Sequence, residues 1–310
     1  IAGLWGAIIL GFFAALFGGT PAQVSGPTGP MSMTVTGVVT TLVGIGVADK
    51  LPDSEKLPIL LPLVMAAVVV GGLFQILFGL LKLGKYITLV PYSVVSGFMS
   101  GIGFIILSIQ IGPLVGIDTS GLNVIQSINK VFTTFGSVNF TPNWSAISVS
   151  LITLAIVFLT PRRISQWIPS PLIALLIVTP LSLILFNDVS LQDKGLTLLP
   201  RIGNIPPGGL SLTNFKIDTL FGNYFRIIIN AGLMLAILGA IDSLLTSLVA
   251  DNISETRHNS DRELIGQGIG NSIAGLFQGL PGAGATMRTV INVKSGGKTP
   301  ISGMVHSVIL

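Results

Sequence analysis

Residues Ile227–Ala250 read IIINAGLMLAILGAIDSLLTSLVA, an apolar stretch in which Asp242 is the only charged residue. A run of this length can span a bilayer as a helix. A carboxylate at the centre of such a helix costs roughly 2.5–3.5 kcal/mol on insertion scales, so it is kept where it has a partner or a task. Asp242 therefore predicts an ion or substrate site inside a membrane transporter.

The composition of the whole chain indicates an integral membrane protein. Half of its 310 residues are apolar and 9% are charged, against about 25% charged residues in an ordinary soluble domain. The absence of cysteine excludes disulfides, thiol catalysis and cysteine metal ligands. The basic residues form no stripe with interleaved aromatics, so no nucleic-acid partner is expected.

Hydropathy marks about eight full or partial spans. They are Ile1–Phe17, Met31–Val47, Leu60–Leu81, Ile87–Leu114, Ser145–Leu159, Pro171–Phe186, Ile227–Ala250 and Leu264–Leu280. Short loops rich in lysine and arginine fall on one side, which the positive-inside rule makes cytoplasmic. The polar loop after Ala250 lies on that side, and His258 within it is interpreted as solvated. These features predict a multi-pass protein of the plasma (inner) membrane.

Two stretches interrupt the apolar pattern with glycine and proline, Pro21–Pro30 and Pro281–Arg288. Backbone without helical hydrogen bonds survives at membrane depth only where protein buries it or where it lines a cavity. A pair of such segments indicates a transporter's binding site, because the half-helix that follows each one presents unpaired N–H groups to an anion. The alternative is a pair of kinked helices that pack through small residues.

Charged and hydroxyl side chains near these breaks indicate which ions the site could bind. Arg288 lies in the first turn of the second half-helix, where a cation is unfavourable unless an anion offsets it; the alternative is an arginine that reaches the membrane interface. Thr246 follows Asp242 by one helical turn, a spacing that suits a hard cation such as Na⁺. Two alternatives stay open: Asp242 carries a proton, or it pairs structurally with Arg288.

Three stretches together resemble the SulP family of inorganic anion permeases, which includes sulfate and bicarbonate transporters, pendrin and prestin. They are GLWGAIILGFFAALFGGTPAQVSGPTGP (3–30), LLKLGKYITLVPYSVVSGFMSGIG (80–103), and the region from AIDSLLTSLVADNIS through TRHNSDRELIGQGIGN to GLPGAGATMRTVINVKSGGKTPISG (240–303). The resemblance implies an all-α membrane protein of fourteen helices in two inverted seven-helix repeats. It also implies a core and a gate, with two half-helices that meet at mid-membrane.

The same resemblance implies where this chain would lie within the fold. Residues 1–310 would form a partial transport domain, from about the second helix to the start of the eleventh. The chain opens without methionine and stops inside an apolar run, so it is expected to be an internal piece. The first helix, the last helices and the cytoplasmic STAS domain would lie outside it, and the full-length protein would form a homodimer. Part of the gate is expected from Leu60–Leu114 and Ser145–Phe186.

The resemblance also implies roles for individual residues. The anion would lie between the N-termini of the third and tenth helices, with the acidic residue of the eighth helix beside it. The implied anion-binding residues are Gln23, Ser25, Thr28, Gly29, Ala285, Thr286 and Arg288. The implied cation-coupling residues are Asp242, Thr246 and Gly284, of which Asp242 and Thr246 would hold Na⁺. No other cofactor is expected.

The predicted function is secondary active transport of a small inorganic oxyanion, sulfate or bicarbonate, coupled to Na⁺ or H⁺ by alternating access. Bicarbonate members of the family resemble this chain in Asp242, Thr246 and the GAGAT stretch, whereas the positive charge of Arg288 favours a divalent anion or makes a coupling cation less necessary. The alternative is an uncoupled anion channel or exchanger in which Asp242 and Arg288 form a structural ion pair. A nucleobase permease is a third hypothesis. No enzymatic activity is expected, since no nucleophile–base pair lies within the spans.

Overall fold

The computed structural model describes residues 1–44, 53–89, 92–119, 122, 124–137, 142–165, 168, 170–185, 209–215 and 224–310. Regular structure in these ranges is mostly helical. The helices are α1 (Ala2–Phe17), α2 (Gly29–Gly44), α3 (Asp53–Leu80), α4 (Tyr92–Leu114), α5 (Val124–Phe135), α6 (Trp144–Leu159), α7 (Arg162–Ser165), α8 (Ser170–Leu185), α9 (Phe225–Ser254), α10 (Ser260–Leu276), α11 (Thr286–Lys294) and α12 (Pro300–Ile309). A 3₁₀ helix covers Leu83–Leu89, and two short strands are β1 (Ser25–Gly26) and β2 (Ala283–Gly284).

The chain divides into two compact units. The first comprises Ile1–Phe98 and Pro206–Leu310, and the second comprises Met99–Ile205. Within the second unit, α6 packs against α8. Asn143 caps the start of α6, because its side-chain oxygen accepts a hydrogen bond from the Ala146 amide at 3.1 Å, a role typical of asparagine before a helix.

The first unit is built around α10, which packs against α3 on one side and α1 on the other. Glycines allow this close approach: a β-carbon added to Gly268 would lie 2.5 Å from the Gly72 carbonyl oxygen. Small residues of this kind let helix backbones touch where no aqueous driving force holds them together. Helix α9 also packs against α3, and α12 packs against α1.

Two described helices are long and apolar enough to cross a membrane, and their apolar stretches are Ile59–Leu80 and Phe225–Ser254. Five shorter apolar helices accompany them. The predicted spans coincide with helices α1, α2, α3, α4, α6, α8, α9 and α10. Residues 45–47, 90–91 and 186, which belong to three of the predicted spans, lie outside the described ranges.

Three expectations differ from the structure. Between the predicted spans Ile87–Leu114 and Ser145–Leu159, where hydropathy marks no span, the structure has a helix, α5. Helix α10 begins at Ser260, inside the predicted polar loop. The assignment of Leu60–Leu114 to the gate is corrected for α3, which packs against α9 and α10 in the first unit. Hydropathy marks a span but does not say which neighbours the span packs against.

Candidate ion-binding site

The two interrupted segments meet in the structure. Strands β1 and β2 pair antiparallel, with Ser25 opposite Gly284. The Ala285 amide continues this contact by donating to the Val24 carbonyl at 2.9 Å. Helices α2 and α11 both begin within three residues of the paired strands. The break predicted across Gly282–Ala285 is therefore observed, and both half-helix N-termini start from one small sheet.

Helix α9 contacts this sheet through hydroxyl groups. Thr246 Oγ1 donates to the Gly284 carbonyl oxygen at 3.0 Å and lies 2.8 Å from Thr286 Oγ1. Because a threonine hydroxyl has a single proton, Thr286 is then the donor to Thr246. One turn earlier, Ser243 Oγ accepts from the Gly284 amide at 3.1 Å. Three residues predicted from the sequence, Thr246, Gly284 and Thr286, are thus brought together.

Asp242 is buried beside the first interrupted segment. Asp242 is 5% exposed, and its Oδ2 atom has no hydrogen-bond partner among the described residues. The nearby Thr28 hydroxyl faces the carboxylate, but this hydroxyl too is buried without a hydrogen bond of good geometry to any described group. A buried carboxylate oxygen without a donor is costly, and a bound cation would offset that cost.

Arg288 does not pair with Asp242. Its guanidinium donates to the Pro27 carbonyl at 3.2 Å and lies against Gly26, where an added β-carbon would be 2.9 Å from Nη1. Thr28, the residue after Pro27, faces Asp242. Two consecutive residues after β1 therefore contact Arg288 and Asp242 separately. Between Arg288 and Asp242, both of which are described, no ion pair is formed, which contradicts the alternative in which they pair structurally.

Gln23 and Ser25, both predicted to bind the anion, have their polar atoms engaged by protein. The Gln23 side chain donates to Glu263 at 2.9 Å and accepts from Ser247 at 2.8 Å. Ser25 Oγ accepts from Gln267 at 2.6 Å. Both residues are 3% exposed. The side chains of both residues therefore bond to α9 and α10, and in this way they support the segment that carries Thr28.

The remaining two predicted residues mark helix starts. Gly29 is the first residue of α2 and is exposed. Ala285 precedes α11, and its amide is already used by Val24. Any contribution of Ala285 to anion binding would therefore come from its position and not from a free N–H group.

A polar row on α10 is a feature that the sequence analysis missed. Glu263, Gln267 and Asn271 recur every four residues, which places them on one helix face, and they are 1%, 0% and 2% exposed. Glu263 accepts four N–H donors, from Gly19, Thr20, Gln23 and Gln267, at 2.8–2.9 Å. The four-residue spacing within RELIGQGIGN (262–271) is the signal that could have revealed it, because Glu263 is the last residue of the polar loop predicted between Ala250 and the span at Leu264.

His258 also differs from its interpretation as a solvated side chain. Its ring Nδ1 lies 2.7 Å from Asp251 Oδ2, and its Nε2 lies 2.8 Å from Ser260 Oγ. The His258 side chain is 5% exposed. These contacts join the end of α9 to the start of α10, so the histidine closes the connection between the two helices.

The donor set at the site suits a hard monovalent cation. Within the described ranges no group of three or more histidine, cysteine, aspartate or glutamate residues is placed to hold a metal ion, which is the pattern a transition metal requires. The site instead presents oxygen atoms of the kind that hard cations bind, namely the Asp242 carboxylate, the Thr246 hydroxyl and the carbonyl groups of the unwound segments.

Comparison with known proteins agrees with this geometry. The sequence model of the sulfate permease family matches residues 1–310. The chain belongs to the sulfate permease family. Its resemblance to SulP permeases is therefore confirmed, and the family is one of membrane transporters.

Individual sulfate permeases show how far the similarity extends. The chain is 45% identical over 313 residues to the bicarbonate transporter BicA of a Synechocystis species, covering 100% of this chain and 50% of that protein. It is 33% identical over 310 residues to the putative sulfate transporter YvdB of Bacillus subtilis, covering 99% of this chain and 53% of that one. The chain thus spans about half the length of these curated relatives.

A solved sulfate permease has the same fold. The transmembrane domain of a cyanobacterial bicarbonate transporter BicA superimposes with a TM-score of 0.82 at 42% identity, covering 99% of this chain and 73% of that one. The paired interrupted segments of this chain therefore lie in a region that matches the transmembrane domain of that transporter.

Proposed function

We propose that the full-length protein is a secondary active transporter that moves a small inorganic oxyanion across the plasma (inner) membrane together with Na⁺. The observation that carries this proposal is the buried Asp242 carboxylate, whose Oδ2 lacks a partner among the described residues, next to paired half-helix N-termini. The carboxylate supplies negative charge for a cation, and the helix ends supply positive partial charge for an anion.

Bicarbonate is the substrate favoured by similarity, since the chain is 45% identical to a bicarbonate transporter. Sulfate is the second candidate, because the fixed positive charge of Arg288 lies at the first interrupted segment and favours a divalent anion. Binding would come from helix dipoles and Arg288 acting on the anion, while a cation at Asp242 and Thr246 offsets the anion's charge.

Alternating access is the mechanism that fits a site of this construction. Hydrogen bonds from α9 and α10 reach both interrupted segments, so the two segments and their bound ions would move as one body. No covalent bond changes in this process. The bilayer and a second copy of the full-length protein are the proposed partners.

The test is uptake by the full-length protein reconstituted in vesicles. Labelled bicarbonate and labelled sulfate are supplied separately, with an inward Na⁺ gradient, with a proton gradient, and with neither. Saturable accumulation of one anion that requires the Na⁺ gradient supports the proposal. Anion flux of equal size with no cation gradient would favour an uncoupled channel or exchanger.

A further inference from the structure

Asn271 binds both backbone groups of one residue in the second interrupted segment. The Gly282 amide donates to Asn271 Oδ1 at 2.9 Å, and Asn271 Nδ2 donates to the Gly282 carbonyl at 3.0 Å. The same Nδ2 donates to Gln75 Oε1 on α3 at 2.9 Å. A side chain of α10 thus occupies the position that a neighbouring strand would have beside Gly282.

The interrupted segment needs such a support. Backbone groups outside a helix are costly in an apolar interior unless they are paired. The pairing of β1 with β2 involves two residues on each strand, and a ladder this short has little stability of its own. The Asn271 amide satisfies the Gly282 backbone and fixes its orientation at the same time.

Gly282 lies two residues before Gly284, whose carbonyl oxygen accepts from Thr246. We propose that Asn271 is a positioning residue that holds the Gly284 carbonyl where Thr246 and the coupling cation meet it, without contacting the ion itself. This inference rests on the proposed function. It assigns the cation affinity of the site partly to a helix that contributes no ligand.

Two observations separate this role from direct binding. The Asn271 side chain is directed at Gly282 and Gln75, and none of its described hydrogen bonds reaches Asp242, Thr246 or Gly284. Both of its polar atoms are already engaged, Oδ1 by Gly282 and Nδ2 by Gly282 and Gln75.

The experiment replaces Asn271 by Asp in the full-length protein. This change keeps the size of the side chain and the acceptor for the Gly282 amide, but removes the donor to the Gly282 carbonyl. The half-saturating Na⁺ concentration for anion uptake should rise about tenfold, with the maximal rate at saturating Na⁺ retained and the half-saturating anion concentration changed by less than about twofold.

Ser272→Ala is the matched control. Ser272 is the next residue of α10, and its hydroxyl faces the Val69 carbonyl of α3 at 3.5 Å, away from the interrupted segments. Its Na⁺ dependence should equal that of the unchanged protein. If Asn271→Asp fails to accumulate in the membrane, Asn271→Ser replaces it, and the Na⁺-induced rise in melting temperature of the purified protein gives a readout independent of transport.

The outcomes separate the two proposals. If uptake by the unchanged protein requires Na⁺ and the Asn271 variants show the same Na⁺ dependence with only lower thermal stability, Asn271 is merely structural and the inference is wrong while the proposed function stands. If uptake by the unchanged protein is independent of Na⁺, the coupling in the proposed function fails, and the inference fails with it.

Discussion

The hydroxyl of Thr246 donates a hydrogen bond of 3.0 Å to the carbonyl oxygen of Gly284. This contact joins the helix that carries Asp242 to the interrupted segment that starts α11. Since the Gly284 amide is held by Ser243 of the same helix, both backbone groups of Gly284 are fixed by α9. Two of the three residues predicted to couple transport to a cation, Thr246 and Gly284, are therefore hydrogen-bonded to each other, and the third, Asp242, lies one turn before Thr246 on the same helix.

Replacing Asp242 by Asn should abolish gradient-driven accumulation without unfolding the protein. The neutral amide removes a buried charge that has a partnerless oxygen among the described residues, so the melting temperature should stay the same or rise. Accumulation of labelled bicarbonate, measured with a Na⁺ gradient, should fall to the level of passive equilibration. Full accumulation by this variant would disprove the coupling role.

Thr246→Val should weaken both stability and cation affinity. Valine has a similar volume, but it leaves the buried Gly284 carbonyl without its Thr246 donor, at a cost of about 1–3 kcal/mol. Thr40→Val is the control, because the Thr40 hydroxyl bonds only to Thr36 in its own helix and is exposed. Thermal unfolding and the half-saturating Na⁺ concentration should change in the first variant and not in the second.

Glu263→Gln should destabilise the protein more than its small change in shape suggests. The carboxylate accepts from four N–H groups, and an amide presents an N–H group to some of those donors. Because hydrogen bonds to charged groups contribute about 1.5–3 kcal/mol each, a loss of at least about 2 kcal/mol is expected. Glu255→Gln, at an exposed position after α9, should leave the melting temperature unchanged.

Arg288→Met should shift the preference between anions. It removes the positive charge beside the Pro27 carbonyl while keeping much of the apolar stem. The half-saturating concentration should rise about tenfold more for sulfate than for bicarbonate, since a divalent anion loses more attraction. Competition between the two labelled anions measures this ratio. An unchanged ratio would show that Arg288 does not contribute to selectivity.

The same variants test the ion-pair alternative. Arg288 contacts Pro27, and Asp242 faces the next residue, Thr28, so the two charges should not stabilise one another directly. In a double-mutant cycle of Asp242→Asn and Arg288→Met, the stability effects should add to within about 0.5 kcal/mol. A coupling free energy well above that value would show that Asp242 and Arg288 do stabilise one another as a pair.

Local patterns were enough to predict the elements that define the candidate site. An isolated charge in an apolar run located the Asp242 helix, and glycine and proline in two apolar stretches located breaks that the structure shows as β1 and β2. Both signals are local, because they depend on what a helix in lipid tolerates. The roles of the anion-binding and cation-coupling residues stay predictions.

Other features depend on tertiary contacts that no local pattern contains. Glu263 lies in a charged stretch that resembles a solvated loop. In the structure it is buried, and it accepts hydrogen bonds from the amides of Gly19 and Thr20, which are distant in sequence. Asp242 and Arg288 carry opposite charges, so the sequence alone allows an ion pair between them. The structure shows that Arg288 contacts Pro27 while Asp242 faces Thr28, so the two side chains do not pair. The placement of α3 likewise follows from its neighbours and not from its hydropathy.

The sheet formed by β1 and β2 has a consequence for how such a protein can change over evolution. Its pairing uses backbone atoms, which every amino acid except proline provides in full, and its supports come from buried side chains of α9 and α10. Thr28 and Arg288, which are predicted to bind the anion, contribute few of the side-chain hydrogen bonds that hold the segments in place. A lineage can therefore exchange these two residues and acquire a new ionic cargo while the architecture beneath them is inherited intact.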